Sequence, residues 1–253
     1  MTWYWLADGH ADGATNMARD LALLDLAAER GVGFVRTYTW APFALSFGAN
    51  EPALKRYDRA EIDRRGLAIV RRPTGGRAVW HAEELTYSVA APEGALGTLA
   101  ESYRRIHEML VEALGGPLEV AAKGTPTPAL DSGACFASPV GGEVTSALGK
   151  VVGSAQLRER GAFLQHGSIL LGNRQELVAE LTRGEPPEVA AAALNEVLGR
   201  VVYPQDLSDS IHATLARHLG PLRTPDSELL TALETRTAMH LPRFLDDAWT
   251  WRR

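Results

Sequence analysis

From Thr15 to Glu29 apolar residues recur at helical spacing, with Met17, Leu21, Leu24 and Ala28 on one face and Gly31 as a stop. Phe34 to Trp40 and Ala44 to Phe47 read as extended, and a short charged helix precedes Gly66. Leu67 to Arg71 reads as a buried strand ending at Pro73, with further strands at Ala78 to His81 and Leu85 to Ala90. Leu99, Tyr103, Ile106 and Leu110 line one face of a long helix that stops near Gly115-Gly116. Residues 122–142 have no clear period and predict a long loop, a feature of compact domains that is usually functional or disordered.

Strands follow at Glu143 to Ala147, Val151 to Leu157 and Ala162 to Leu171, with turns at Leu148-Gly149 and Arg158 to Gly161. The remainder reads as helical, at about Arg174 to Thr182, Pro187 to Leu198, Ser208 to Leu219 and Asp226 to Ala238. No repeat or composition break forces a boundary, so residues 1–253 are expected to form one domain, helical from about residue 174. The fold class expected is α+β, a mixed central sheet flanked by helices with a helical C-terminal region.

Composition narrows the function. A hydrophobic fraction of 45% supplies core material, and a net charge of -5 with a pI near 5.8 argues against general nucleic-acid binding. Lys55, Arg56, Arg59, Arg64, Arg65, Arg71, Arg72 and Arg77 cluster in sequence and could meet an acidic partner, although a solvated role is favoured for those before Gly66. One cysteine, Cys135, allows neither an internal disulfide nor a multi-cysteine zinc site, and no metal is expected. The N-terminal residues lack a signal-peptide pattern and no apolar run is long enough to span a membrane, so the expected location is the cytoplasm, with no membrane partner.

Two blocks carry the chemistry. Arg71-Arg72-Pro73-Thr74-Gly75-Gly76-Arg77-Ala78-Val79-Trp80-His81 sets glycines beside cations, so backbone amides can approach a ligand while Arg72, Arg77 and His81 fix an anionic or carbonyl group. A glycine pair alone favours a plain turn. Neither a P-loop nor a dinucleotide fingerprint is present. Gly149 to Gln156 puts Lys150 before the small residues Gly153, Ser154 and Ala155, which leave room for a slender apolar substrate; a lone lysine here is more often an exposed turn residue. His166, beside Gly167, reads equally as a core histidine or a catalytic one. Cys135 follows Asp131-Ser132-Gly133-Ala134, and its position leaves nucleophile and structural thiol evenly balanced.

These blocks resemble the catalytic domain shared by lipoate-protein ligases, biotin-protein ligases and octanoyltransferases. The resemblance also runs through Asp12-Gly13, Asn16-Met17-Ala18, Glu84-Leu85-Thr86-Tyr87-Ser88, Leu164 to Leu171 and the closing Trp249-Thr250. Thr74 to Val79 and Ala134-Cys135-Phe136 look like the cysteine-dependent octanoyltransferase branch. That resemblance implies transfer of octanoyl from acyl carrier protein to Cys135, then to a lysine of a lipoyl-domain protein such as the glycine-cleavage H protein. Lys150 would hold the acyl carbonyl and assist proton transfer. Arg72, Gly75, Gly76, Arg77 and His81 would form one side of the acyl site, Gly153, Ser154 and Ala155 another, and His166 and Gly167 its polar end. No cofactor is implied. The rivals are an ATP-dependent lipoate-protein ligase, an amidotransferase moving octanoyl between lipoyl-domain proteins, and a non-catalytic acyl-binding protein. Glu51 departs from the glutamine usual in the family, which puts substrate contacts there in question.

Overall fold

The computed structural model describes residues 1–121, 142–172, 175–184 and 190–252. In chain order its elements are β1 (Trp3–Ala11), α1 (Gly13–Arg30), β2 (Gly33–Trp40), β3 (Ala44–Phe47), α2 (Ala53–Arg56), α3 (Arg59–Arg64), β4 (Ala68–Arg71), β5 (Val79–His81) and β6 (Glu84–Pro92). They continue as α4 (Leu99–Leu114), β7 (Glu119–Val120), β8 (Val144–Ser146), β9 (Gly149–Glu159), β10 (Ala162–Leu170), α5 (Glu176–Glu180) and α6 (Leu194–Leu198). Last come α7 (Pro204–Leu219), β11 (Leu222–Arg223), α8 (Ser227–Leu245) and α9 (Asp247–Thr250). The architecture is α+β, with a sheet ordered β11-β1-β2-β6-β10-β9-β8-β7 and a small one ordered β4-β3-β5.

Strands β2, β6, β10 and β9 run antiparallel to one another, whereas β1 runs parallel to both β2 and β11. All nine residues of β10 are buried, as expected of a central strand covered on both faces. One apolar cluster joins the sheet to α4 and α7, and a second joins it to α1 and α8. Helix α1 starts at the Asp12 cap, whose carboxylate accepts from the Thr15 amide (2.9 Å), and ends at the left-handed Gly31. A reciprocal Thr98–Glu101 capping box starts α4. Among the described residues, no helix is long and apolar enough to cross a membrane.

Several expectations need correction. Strand β1 was not expected, because a register shift between Ala7 and His10 breaks its alternation. Leu99 opens α4 but is exposed, so the helix's buried face begins at Ser102. The helix expected over Pro187 to Leu198 is confined to Leu194–Leu198 within the described residues. Ala190 and Ala192 instead spend backbone bonds on Lys150, whose amide donates to Ala190 O (2.8 Å) and whose carbonyl accepts from the Ala192 amide (2.9 Å). The loop expected over residues 122–142 lies, but for Gly142, outside those described. Arg71, Arg72 and Arg77 are buried and form no surface patch, whereas Lys55, Arg64 and Arg65 are exposed.

Candidate active site

A small pocket opens between the two sheets and α1. Its lining is largely apolar, and small residues make the space. Gly153, Ser154 and Ala155 come from β9, and Gly167 from β10. A Cβ on Gly167 would lie 2.3 Å from Ser154 Oγ and 2.8 Å from Gly153 O, so a side chain there would collide with the facing strand. Met17, Tyr38, Trp40, Val79, Thr86 and Ser168 complete the walls with Arg72, His81 and His166.

Arg72 is a strut. Its guanidinium donates to Ser46 Oγ (2.6 Å), Ser46 O (3.0 Å), Gly75 O (3.1 Å) and Arg77 O (2.9 Å), which fixes the glycine loop. Because Arg72 donates to Ser46 Oγ, the serine proton is directed at His81 Nε2 (2.6 Å). His81 Nδ1–H then donates to Glu84 Oε1 (2.8 Å), which also accepts from Thr86 (2.6 Å) and Ser168 (3.0 Å). Stacking on Trp40, at 3.8 Å between centroids and 13° between planes, holds the imidazole flat. Burial pushes the His81 pKa down, against the opposing pull of Glu84, and so favours the neutral ring.

His166 has a different setting. Nδ1–H donates to Asp20 Oδ2 (2.8 Å), and Nε2 meets Thr74 Oγ1 (2.7 Å). Asp20 has no exposed surface, yet it also accepts from Tyr38 (2.8 Å) and Arg36 (2.8 Å). Burial alone would raise its pKa; the His166 hydrogen bond and the Arg36 charge outweigh that and hold it below the ordinary carboxylate value.

Lys150 is not an exposed turn residue. It is 1% exposed, and its Nζ donates to Glu143 Oε1 (2.6 Å). It does not line the cavity, and neither do Gly75, Gly76 and Arg77, whose loop lies behind Arg72. Cys135 lies outside the described residues. Glu51, the departure from glutamine, is a buried clasp: it accepts from Tyr57 (2.6 Å), the Ala78 amide (3.1 Å) and the Gly48 amide (3.1 Å), and it is absent from the cavity wall.

Sequence reading missed Met17, Tyr38, Trp40, Val79, Thr86 and Ser168 as wall residues, and Asp20, Arg36 and Glu84 behind them. A signal existed for Tyr38 and Trp40, which alternate along one face of β2. Asp20 and Arg36 gave none, since their pairing depends on α1 lying across the sheet. Also missed was His107 on α4, fully buried behind Ser154: its Nδ1–H donates to Gly142 O, and its Nε2 accepts from Ser154 (2.8 Å). Burial pushes its pKa down to about 4, aided by the nearby Lys150 charge.

Residues 12–216 match the Lipoyl protein ligase A/B catalytic domain family. The chain belongs to that family. Octanoyltransferase LipM of Kyrpidia tusciae is 37% identical over 277 residues, covering 100% of this chain and 99% of that protein. Octanoyltransferase LipM of Geobacillus kaustophilus is 34% identical over 275 residues, covering 99% and 98%. Among solved structures, lipoate-protein ligase A bound with ATP superposes with a TM-score of 0.80 at 17% identity, covering 99% of each chain. A putative lipoate protein ligase from T. acidophilum with bound lipoic acid gives 0.80 at 16% identity, also over 99% of each chain. At such low identity these neighbours speak for the ligase-family fold alone.

Proposed function

We propose that this family member, an acyltransferase that moves octanoyl in lipoate biosynthesis, does so through a thioester on Cys135. The observation that carries the reading is its end-to-end similarity to octanoyltransferases. The largely apolar lining of the pocket supports it, matching the chemistry of an alkyl chain. The donor is octanoyl-acyl carrier protein and the acceptor a lysine of a lipoyl-domain protein, such as the glycine-cleavage H protein, in the cytoplasm.

In the first step the Cys135 thiolate attacks the donor carbonyl. The new carbon–sulfur bond forms, the donor's thioester bond breaks, and the departing thiol takes up a proton. In the second step the acceptor amine attacks, the amide forms, and Cys135 leaves as thiolate while the nitrogen loses its proton. The resemblance assigns stabilisation of the oxyanion in both steps to Lys150, which is paired with Glu143 and stands outside the described cavity wall. His81, favoured neutral, and His166 bound the cavity's polar side. A thioester is already activated, so neither metal nor ATP is required.

The test is intact-mass spectrometry after incubation with octanoyl-acyl carrier protein without ATP. Wild type should gain one octanoyl group, Cys135→Ser none, and the adduct should disappear when a lipoyl-domain protein is added. Acceptor modification only with ATP and free octanoic acid would overturn the reading in favour of a ligase.

A further inference from the structure

The matched family region ends at residue 216, yet the backs of two site loops are held by residues far beyond it. The buried Arg71 guanidinium is bonded to two separate stretches of backbone. On one side it donates to Gly48 O (2.6 Å) and Glu51 O (2.8 Å). On the other it donates to Thr250 O (2.9 Å) and Arg252 O (2.9 Å). Two bonds return: Trp249 Nε1 donates to Arg71 O (3.0 Å), and Arg252 donates to Ala49 O (2.6 Å). The Trp249 ring lies between the Arg243 and Arg252 guanidinium groups, at 3.7 and 3.6 Å, and Trp251 packs on Phe47.

The gripped segment, residues 48–51, is the floor under the glycine loop. The Ala49 amide donates to Thr74 O (2.8 Å), and Thr74 in turn holds His166 (2.7 Å). Contact between the two loops is close enough to demand glycine, since a Cβ on Gly48 would lie 1.9 Å from Gly76 O. Movement of residues 48–51 is therefore transmitted to Thr74, Gly76 and the imidazole at the cavity wall. Trp249, Arg252 and Arg71 themselves stand outside the cavity wall.

We infer that Trp249–Arg252, gripping Arg71 and residues 48–51, is a positioning clasp for the glycine loop of the acyl site. The consequence for turnover rests on the transferase reading above; the effect on the loop does not. Trp249→Phe keeps a ring between the two guanidinium groups and removes only the bond to Arg71 O. Arg71→Lys keeps the charge but not a fork that spans both stretches.

Hydrogen exchange measured on the full chain tests the clasp. In both variants the segment 72–80 should exchange faster than in wild type, with α4 unchanged. Octanoyl transfer, corrected for folded fraction, should fall about 10-fold or more in kcat/KM, the scale set by ångström-sized misplacement. Gly48→Ala should reproduce that kinetic loss with Trp249 and Arg71 unchanged, because its Cβ displaces Gly76 directly. Wild-type exchange over 72–80 in Trp249→Phe and Arg71→Lys overturns the clasp. If Arg71→Lys does not fold, Trp249→Phe decides. Faster exchange in a chain whose wild type takes up no octanoyl would instead sink the transferase reading and leave the clasp standing.

Discussion

His166 and His107 lie on opposite sides of the same strands, both buried, and their surroundings solve the burial problem in different ways. His166 shares a fully buried carboxylate with Arg36 and Tyr38, so that region keeps its charges and balances them. Among the described residues His107 meets a carbonyl and the hydroxyls of Ser154 and Tyr87 but no carboxylate, and burial leaves it neutral. Burial is common to both; a carboxylate stands beside the first ring and, among the described residues, none beside the second. The balanced cluster backs the polar side of the cavity, while the neutral one supports the small-residue strand beneath it.

The sharpest way to break this contrast is Asp20→Asn, which leaves the Arg36 charge buried without that counter-ion. Loss of one member of such a pair is expected to cost about 3–5 kcal/mol in urea unfolding at neutral pH. A loss below about 1 kcal/mol would mean that Asp8, the other carboxylate on Arg36 at 2.6 Å, already balances the cluster.

The pH dependence comes next. A folded-state pKa lowered from 6.5 to about 4 means that the His107 contribution is complete above pH 6.5. It declines as the pH falls from there towards 4, by up to about 3 kcal/mol. His81 is shifted in the same direction and adds to the slope. Asp20 differs: its lowered pKa gives stability that is complete above 3.8 and disappears only as the pH falls below that. In His107→Gln the slope of unfolding free energy between pH 6.5 and 4 should therefore shrink, with the His81 part remaining. An unchanged slope would show that His107 is not the group titrating there.

Arg64→Ala is the smallest and serves as control. Its pairing with Glu61 (2.6 Å) lies on the exposed run before Gly66, so the thermal midpoint should not move measurably.

The same contrast marks what a sequence can disclose. Helix α1 is legible because Asp12, the apolar spacing and Gly31 all act locally, and the glycine loop because its residue types are unusual in combination. Gly153 to Ala155 could be read as room for a slender group, since small side chains in a strand leave space wherever the strand lies. Asp20 could not be read, as an aspartate on the face of α1 looks solvated until β2 supplies Arg36. His107 was hidden by its neighbour Ile106, which satisfied the helical period and left the next residue unremarked. Lys150 shows the reverse error: lysines next to turns are mostly exposed, and the Glu143 carboxylate helps to make this one tolerable inside. The extended stretch at 190–193 escaped because its alanines favour a helix, and pairing with Lys150 overrides that preference.

Strand β1 sets a timetable for the chain during synthesis. Its inner edge is covered early by β2, since Trp3 faces Gly33, but its outer edge pairs with Leu222 and Arg223. That edge stays open while some two hundred residues emerge, a period in which unpaired strand edges invite association between nascent chains. A folding chaperone acting on this protein would therefore have most to shield at the tryptophan-rich N-terminal strand, until β11 arrives to close it.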